Sequence, residues 1–536
     1  MVRLQGSPVA LAVAAVPGEL AGMLYRWRDA VHGMVLAVAN ASRWKAIESR
    51  ALIKDQSEAA WYTMYESRSI PSFIATKSIP PDDFDDLLRV FSVNYTVCSG
   101  PGRRERPPRV QQTHAVLAML LHYYTAAVEH KTLQELFGVS PTTFSRVLRR
   151  AEVALDRALS HMQDSAVRWP SKALQRDWAV LTNAKEPLME GVFAFVDGKN
   201  YRVQSPSNAD LQNAHYNGML PVLAVANASR WKAIESRALI KDQSEAAWYT
   251  MYESRSIPSF IATKSIPPDD FDDLLRVFSV NYTVCSGPGR RERPPRVQQT
   301  HAVLAMLLHY YTAAVEHKTL QELFGVSPTT FSRVLRRAEV ALDRALSHMQ
   351  DSAVRWPSKA LQRDWAVLTN AKEPLMEGVF AFVDGKNYRV QSPSNADLQN
   401  AHYNGSWNDG EVSCHLQARV SDERFVAPGM KIASVSAFPV SGRCSGRIIT
   451  PLKEGDLDRN PPCDRLALQT MSDCITSLRQ AAEWGMGATG KVYRQLLLPL
   501  PYNPLVRGRR LSNMFQLYNF RVRRTGLSQI KNVFGA

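Results

Sequence analysis

The sequence predicts an α/β chain in which helical regions carrying a helix-turn-helix precede a small sheet domain, with the helical region and first strand present twice. Three observations lead there. Residues 35–218 recur, residue for residue, as 222–405, with only Met219-Leu220-Pro221 between the copies. Each copy holds amphipathic helical stretches joined by a tight turn. An apolar, β-branched and aromatic run at 378–390 reads as a buried strand that ends on Asp384, where Asp-Gly turns the chain.

The expected organisation is a leader at 1–34, a first copy at 35–218, a spacer at 219–221, the helical part of the second copy at 222–377, and a sheet domain at 378–536. With 536 residues, the chain has length for roughly three or four domains. The short apolar run at 9–16 follows Arg3, but Pro8, Pro17 and Glu19 argue against a signal peptide. No apolar run approaches the ~20 residues that cross a membrane. A perfect repeat this long is not a solenoid unit. It reads as a recent duplication or as a gene-model error.

Within each copy, a helical region is expected at 228–254 (41–67). Pro-Pro-Asp-Asp at 267–270 then starts a helix with acid in its first turn, which suits the helix dipole. The Gly/Pro/Arg-rich stretch at 285–296 (98–109) reads as a loop whose arginines are solvated or touch an anion. Next come an apolar helix at 297–315, a short helix at 318–324, the turn Gly325-Val326-Ser327, and a third helix at 328–346. Ser327 is the expected N-cap and Pro328 the first helical residue. Arg333, Arg336 and Arg337 fall at i, i+3 and i+4 and share one face, as do Arg146, Arg149 and Arg150 in the first copy. Phe331, Val334, Leu335 and Ala338 supply the buried side. Such a helix suits a DNA major groove or its phosphates; an ordinary helical hairpin with solvated arginines is the bland alternative.

The segment after 405 is unique. Asp409 starts a helix to about Val420, and a second strand is expected at 430–438. A long helix at 465–497 follows, with Leu468, Met471, Ile475, Leu478 and Ala482 as its buried stripe and Glu483 next in line. The end, 507–533, mixes Arg509, Arg510, Arg521, Arg523 and Arg524 with Phe515, Tyr518 and Phe520, as a nucleic-acid-facing helix or a solvated basic one would. The net charge of +15, from 65 Lys and Arg against 50 Asp and Glu, favours a polyanionic partner. The six cysteines form no CxxC pair, so neither a disulfide framework nor a zinc site is indicated, and a reducing compartment fits.

Five short segments, taken in order, carry a resemblance: Phe382-Val-Asp-Gly-Lys386, Tyr403-Asn-Gly405, Ser406-Trp-Asn-Asp-Gly410, Ser434-Val-Ser-Ala-Phe-Pro439 and Leu478-Arg-Gln-Ala-Ala-Glu-Trp-Gly485. Over about 300–534 the chain resembles the DDE superfamily endonucleases of Harbinger-type transposases. The resemblance implies an RNase H-like fold, DNA as partner, a nuclear location, a possible homo-oligomer, and Mg²⁺ or Mn²⁺ held by three carboxylates for phosphodiester cleavage and strand transfer. It places Asp384 as the first acid and Glu483 as the last. The second acid position holds Val435, which cannot ligate a metal; Asp409 is a further candidate ligand. A strand pair that the family has between the Asn-Gly and Ser-Trp-Asn-Asp segments is missing at Gly405-Ser406. Asp197, the first-copy twin of Asp384, has no sheet following it. These departures predict impaired catalysis. The alternatives are a non-enzymatic helix-turn-helix DNA-binding protein or a degenerate transposon product.

Overall fold

The computed structural model describes residues 47–55, 58–97, 112–126, 128–162, 165, 171–185, 188–193, 239–240, 246–284, 299–386, 388–391, 409–436, 438, 440–444, 446–453 and 455–525. The leader, Asp197 and the arginine-rich loops at 98–109 and 285–296 lie outside them.

Each copy contributes the same helices. In the first they are α1 (Ala60–Ser67), α2 (Ile70–Lys77), α3 (Pro81–Asn94), α4 (Thr113–Thr125), α5 (His130–Phe137), α6 (Pro141–His161) and α7 (Lys172–Lys185). In the second they are α8 (Ala247–Ser254), α9 (Ile257–Lys264), α10 (Pro268–Asn281), α11 (Thr300–Thr312), α12 (His317–Phe324), α13 (Pro328–His348) and α14 (Lys359–Lys372). The helical region expected at 41–67 is shorter than its pattern: Ser49–Ala51 is one 3₁₀ turn, and α1 begins only at Ala60.

The helix-turn-helix forms as read. Gly325 ends α12 at φ +62°, a left-handed conformation that glycine adopts without strain. An added Cβ there would come within 2.8 Å of the Ile240 carbonyl oxygen, so the turn also sits hard against the segment before α8. Pro328 opens α13. Ser327 occupies the N-cap position, but its hydroxyl bonds Thr330 Oγ1 at 3.0 Å and caps no backbone N–H. Phe331, Val334, Leu335 and Ala338 are buried as expected.

The two copies share one hydrophobic core and meet through reciprocal contacts. His122 Nε2 lies 3.1 Å from Thr319 Oγ1, and His309 Nε2 lies 3.1 Å from Thr132 Oγ1. Exchanging the copies exchanges the two contacts, which is the mark of an isologous, two-fold interface, here inside one chain. Behind them Lys77 Nζ contacts His122 Nδ1 at 2.9 Å and Lys264 Nζ contacts His309 Nδ1 at 3.0 Å, all four side chains fully buried. Glu322 and Glu135 face these clusters from the other copy, at 3.7 and 3.6 Å from the imidazoles.

The sheet domain is built from β1 (Val379–Phe382), α15 (Asp409–Ser421), β2 (Lys431–Ala433), β3 (Ile448–Ile449) and α16 (Pro462–Val492). All pairs are parallel, in the order β1-β2-β3. Helices cover both faces, as parallel sheets require. Phe380, Ile432 and Ile448 pack on Ala366 of α14 and Val420 of α15. Val379 and Ala433 pack on Ile475 and Leu478 of α16. Both main strands are shorter than the apolar runs that predict them. The last ladder bond between β1 and β2 runs from Val383 N to Ala433 O at 2.8 Å; past it Ser434 N still bonds Ile449 O at 2.9 Å, and the first run pairs again only at Val390, with Leu500. In α16, Ile475 and Leu478 are buried, but Met471 is exposed and Leu468 only half-buried, because the sheet reaches no further along the helix. The helix ends at Val492, before a 3₁₀ turn at Arg494–Leu497.

The last helix, α17 (Pro504–Thr525), corrects the reading of its arginines. It lies in a groove of the second copy. Arg510 is buried, with Nε 2.7 Å from Glu339 Oε1 and Nη1 donating to the Tyr310 hydroxyl at 2.9 Å. Arg521 donates to the Ser265 carbonyl at 2.8 Å, and Arg524 pairs with Asp351 at 2.6 Å. Met514, Leu517 and Phe520 join the core. Arg510, Arg521 and Arg524 thus turn toward the fold rather than form a free basic face.

Candidate functional site

Parallel strands put their carboxyl ends at one edge, the usual place for ligands in open α/β sheets. Asp384 stands at that edge, two residues past β1. Its Oδ1 accepts the Gly385 backbone N–H at 2.8 Å, a short turn bond that fixes the carboxylate. Gly378, at the other end of β1, has φ +77°, and a Cβ there would overlap the Gly429 carbonyl oxygen. The Gly378 carbonyl in turn accepts Lys431 N–H at 2.7 Å. That contact sets the register of β1 on β2 and so places Asp384 beside the end of β2.

The structure brings Asp384 and Glu483 together, though not around a metal-shaped gap. Arg479, on α16 one turn before Glu483, lies between them. Its Nη1 is 3.2 Å from Asp384 Oδ2 and 3.0 Å from Glu483 Oε1. Asp384 and Arg479 are mostly buried, whereas Glu483 is half exposed. One guanidinium thus bridges both carboxylates and offsets one of their two charges, where the resemblance puts a divalent ion. Val435, just beyond β2, packs against the Phe380–Ile432 cluster and presents no ligand. Asp409 is the first residue of α15, and its side chain lies outside the described residues. Among the described residues no three His, Cys, Asp or Glu side chains converge as a metal's donor set. Two acids, a valine and a fixed cation do not suit Mg²⁺ or Mn²⁺, which take several hard oxygen donors.

Arg479 escaped the sequence reading. The signal was present in its spacing, since an arginine four residues before a glutamate on a helix reaches it.

The second candidate surface is the arginine face of α6 and α13. Arg146, Arg149, Arg150, Arg333, Arg336 and Arg337 are all exposed. Arg146 and Arg333 touch only carbonyls of their own helices, those of Thr142 and Thr329, and none of the six forms an ion pair among the described residues. This contrasts with Arg510, Arg521 and Arg524 of α17, which bond other parts of the fold. No family model, no curated protein and no solved structure matches the chain. No helix among the described residues is long and apolar enough to cross a membrane.

Proposed function

We propose that the chain is a transposase-derived protein of the DDE endonuclease class, nuclear, which binds DNA through its helix-turn-helix units and whose metal-dependent cleavage and strand transfer are impaired. Asp384 and Glu483 are the surviving first and last acids, and the three parallel strands are the remnant of an RNase H-like sheet that has lost a strand pair. The observation that carries this reading is the single guanidinium of Arg479 bridging both acids. It supports reading the two acids as one site, and the lack of a third convergent donor among the described residues supports the loss of a metal's donor set. DNA binding is supported by six exposed arginines, without ion pairs among the described residues, on two equivalent helices of a chain with a net charge of +15.

A salt-dependent mobility shift with duplex DNA tests it. Phosphate-dominated binding weakens with a log–log slope of about −0.9 per phosphate contacted. Arg333, Arg336 and Arg337 changed together to glutamine should weaken binding and flatten the slope by about one for each arginine that contacts a phosphate. Absence of binding at low salt would overturn the DNA-binding part.

A further inference from the structure

The exact repeat supplies an internal control. Two grooves of identical sequence exist in one chain, and among the described residues α17 fills only the second. There, Tyr310 and Tyr311 are 4% and 0% exposed and Leu346 is 0% exposed. Their first-copy counterparts are open: Tyr124 is 55% exposed, Leu159 37%, and Tyr123 is only half-buried. Glu339 is buried against Arg510, while its twin Glu152 is exposed. The open groove is already shaped for the same guest. Tyr124 donates to Glu152 Oε1 at 3.4 Å, as Tyr311 donates to Glu339 Oε1 at 3.2 Å.

We infer that the first-copy groove, lined by Tyr123, Tyr124, Glu152 and Leu159, is a docking site for a basic amphipathic helix supplied by another polypeptide. The chemistry of the guest is set by the filled groove. An arginine reaches the glutamate. An asparagine three residues on bonds the tyrosine hydroxyl and a helix carbonyl, as Asn513 Nδ2 does with Tyr311 at 3.2 Å and Glu339 O at 2.9 Å. Apolar side chains at the places of Met514, Leu517 and Phe520 fill the floor. Among the described residues the one helix of this chemistry, α17, is already engaged, so the guest comes from another polypeptide. Moving it across would open one groove in closing the other. This inference concerns a surface remote from Asp384 and holds or fails independently of the nuclease reading.

The probe is a fluorescein-labelled peptide of residues 499–525 titrated into the full-length protein, read by anisotropy. Saturable one-to-one binding is expected. Glu152→Arg should weaken it at least tenfold, and a peptide carrying Arg510→Glu should recover affinity for that variant. Glu152 is exposed, so the substitution leaves the fold intact, which a circular dichroism melt checks. The Arg510→Glu peptide against the unaltered protein gives an independent arm, in which binding should be lost. No saturable binding would overturn the inference. So would binding indifferent to Glu152→Arg, since the peptide would then be exchanging with α17 in the filled groove.

Discussion

Arg510→Ala is the sharpest stability test, because the chain carries its own reference. In the second copy the substitution strips a guanidinium that is 8% exposed from a carboxylate that is 4% exposed, and leaves the Tyr310 hydroxyl with Gln495 as its remaining donor. Breaking one side of a buried pair costs about 3–5 kcal/mol, since the remaining charge stays buried and unpaired. Glu339→Gln in the same background should return part of that loss by removing the stranded charge, so the two substitutions should be strongly non-additive. In the first copy, Glu152→Gln alters the same residue of the same sequence in water and should cost within about 0.5 kcal/mol. Urea unfolding followed by far-UV circular dichroism measures all four proteins. The common core predicts that both copies unfold in one transition. Proteolysis with a Lys/Arg-specific protease should cut the 504–525 region first in the Arg510→Ala protein. A loss below about 1 kcal/mol for Arg510→Ala would refute the reasoning. Equal costs for Glu339→Gln and Glu152→Gln would refute it as well.

Three further outcomes follow from particular contacts. Gly378→Ala should destabilise the sheet domain by more than the ~1–2 kcal/mol of a left-handed alanine, because its methyl also overlaps the Gly429 carbonyl; denaturation of the variant measures this. Burial pushes the buried amines of Lys77 and Lys264 down to about 8, against an ordinary value of 10.5. From pH 8 upward the unfolded chain therefore holds protons that the native state has released, and the urea midpoint should rise between about pH 8 and pH 9.5. Lys77→Met with Lys264→Met should flatten that rise, and a midpoint falling over the same window would contradict it. The window stops short of 10 because burial raises Tyr311 well above its ordinary value, which acts in the opposite direction there. Val435→Asp alone should restore no DNA nicking in Mn²⁺, since Arg479 still occupies the space between the acids.

Helix periodicity and turn chemistry made most of the helical half legible. The Gly325 turn, Pro328 at the start of α13 and the buried Phe331–Ala338 stripe depend on local rules, and the structure follows them. Strand lengths were less legible. The apolar runs at 378–390 and 430–438 are longer than their strands because strand length depends on which distant segment lies alongside, as Leu500 does for Val390, which no single run encodes. Met471 keeps the helical period of a buried stripe yet is exposed, since its burial depends on how far the sheet extends. The α17 arginines show the same limit for charge. Arg510 and Arg521 read locally as a basic face, and only the position of Glu339 and Ser265, far away in sequence, turns them inward. At the site, Asp384 and Glu483 could be named from the sequence, but their shared partner Arg479 lay unassigned within the Leu478–Gly485 segment. Its role requires α16 to pack against the end of β1, a tertiary fact.

The most direct measurement is nicking and strand transfer on supercoiled plasmid DNA, with Mg²⁺ or Mn²⁺, comparing the unaltered protein with Glu483→Gln. With Arg479 bridging the acids and Val435 in the second position, the two proteins should be indistinguishable and close to background. Robust metal-dependent nicking that Glu483→Gln abolishes would contradict the impairment.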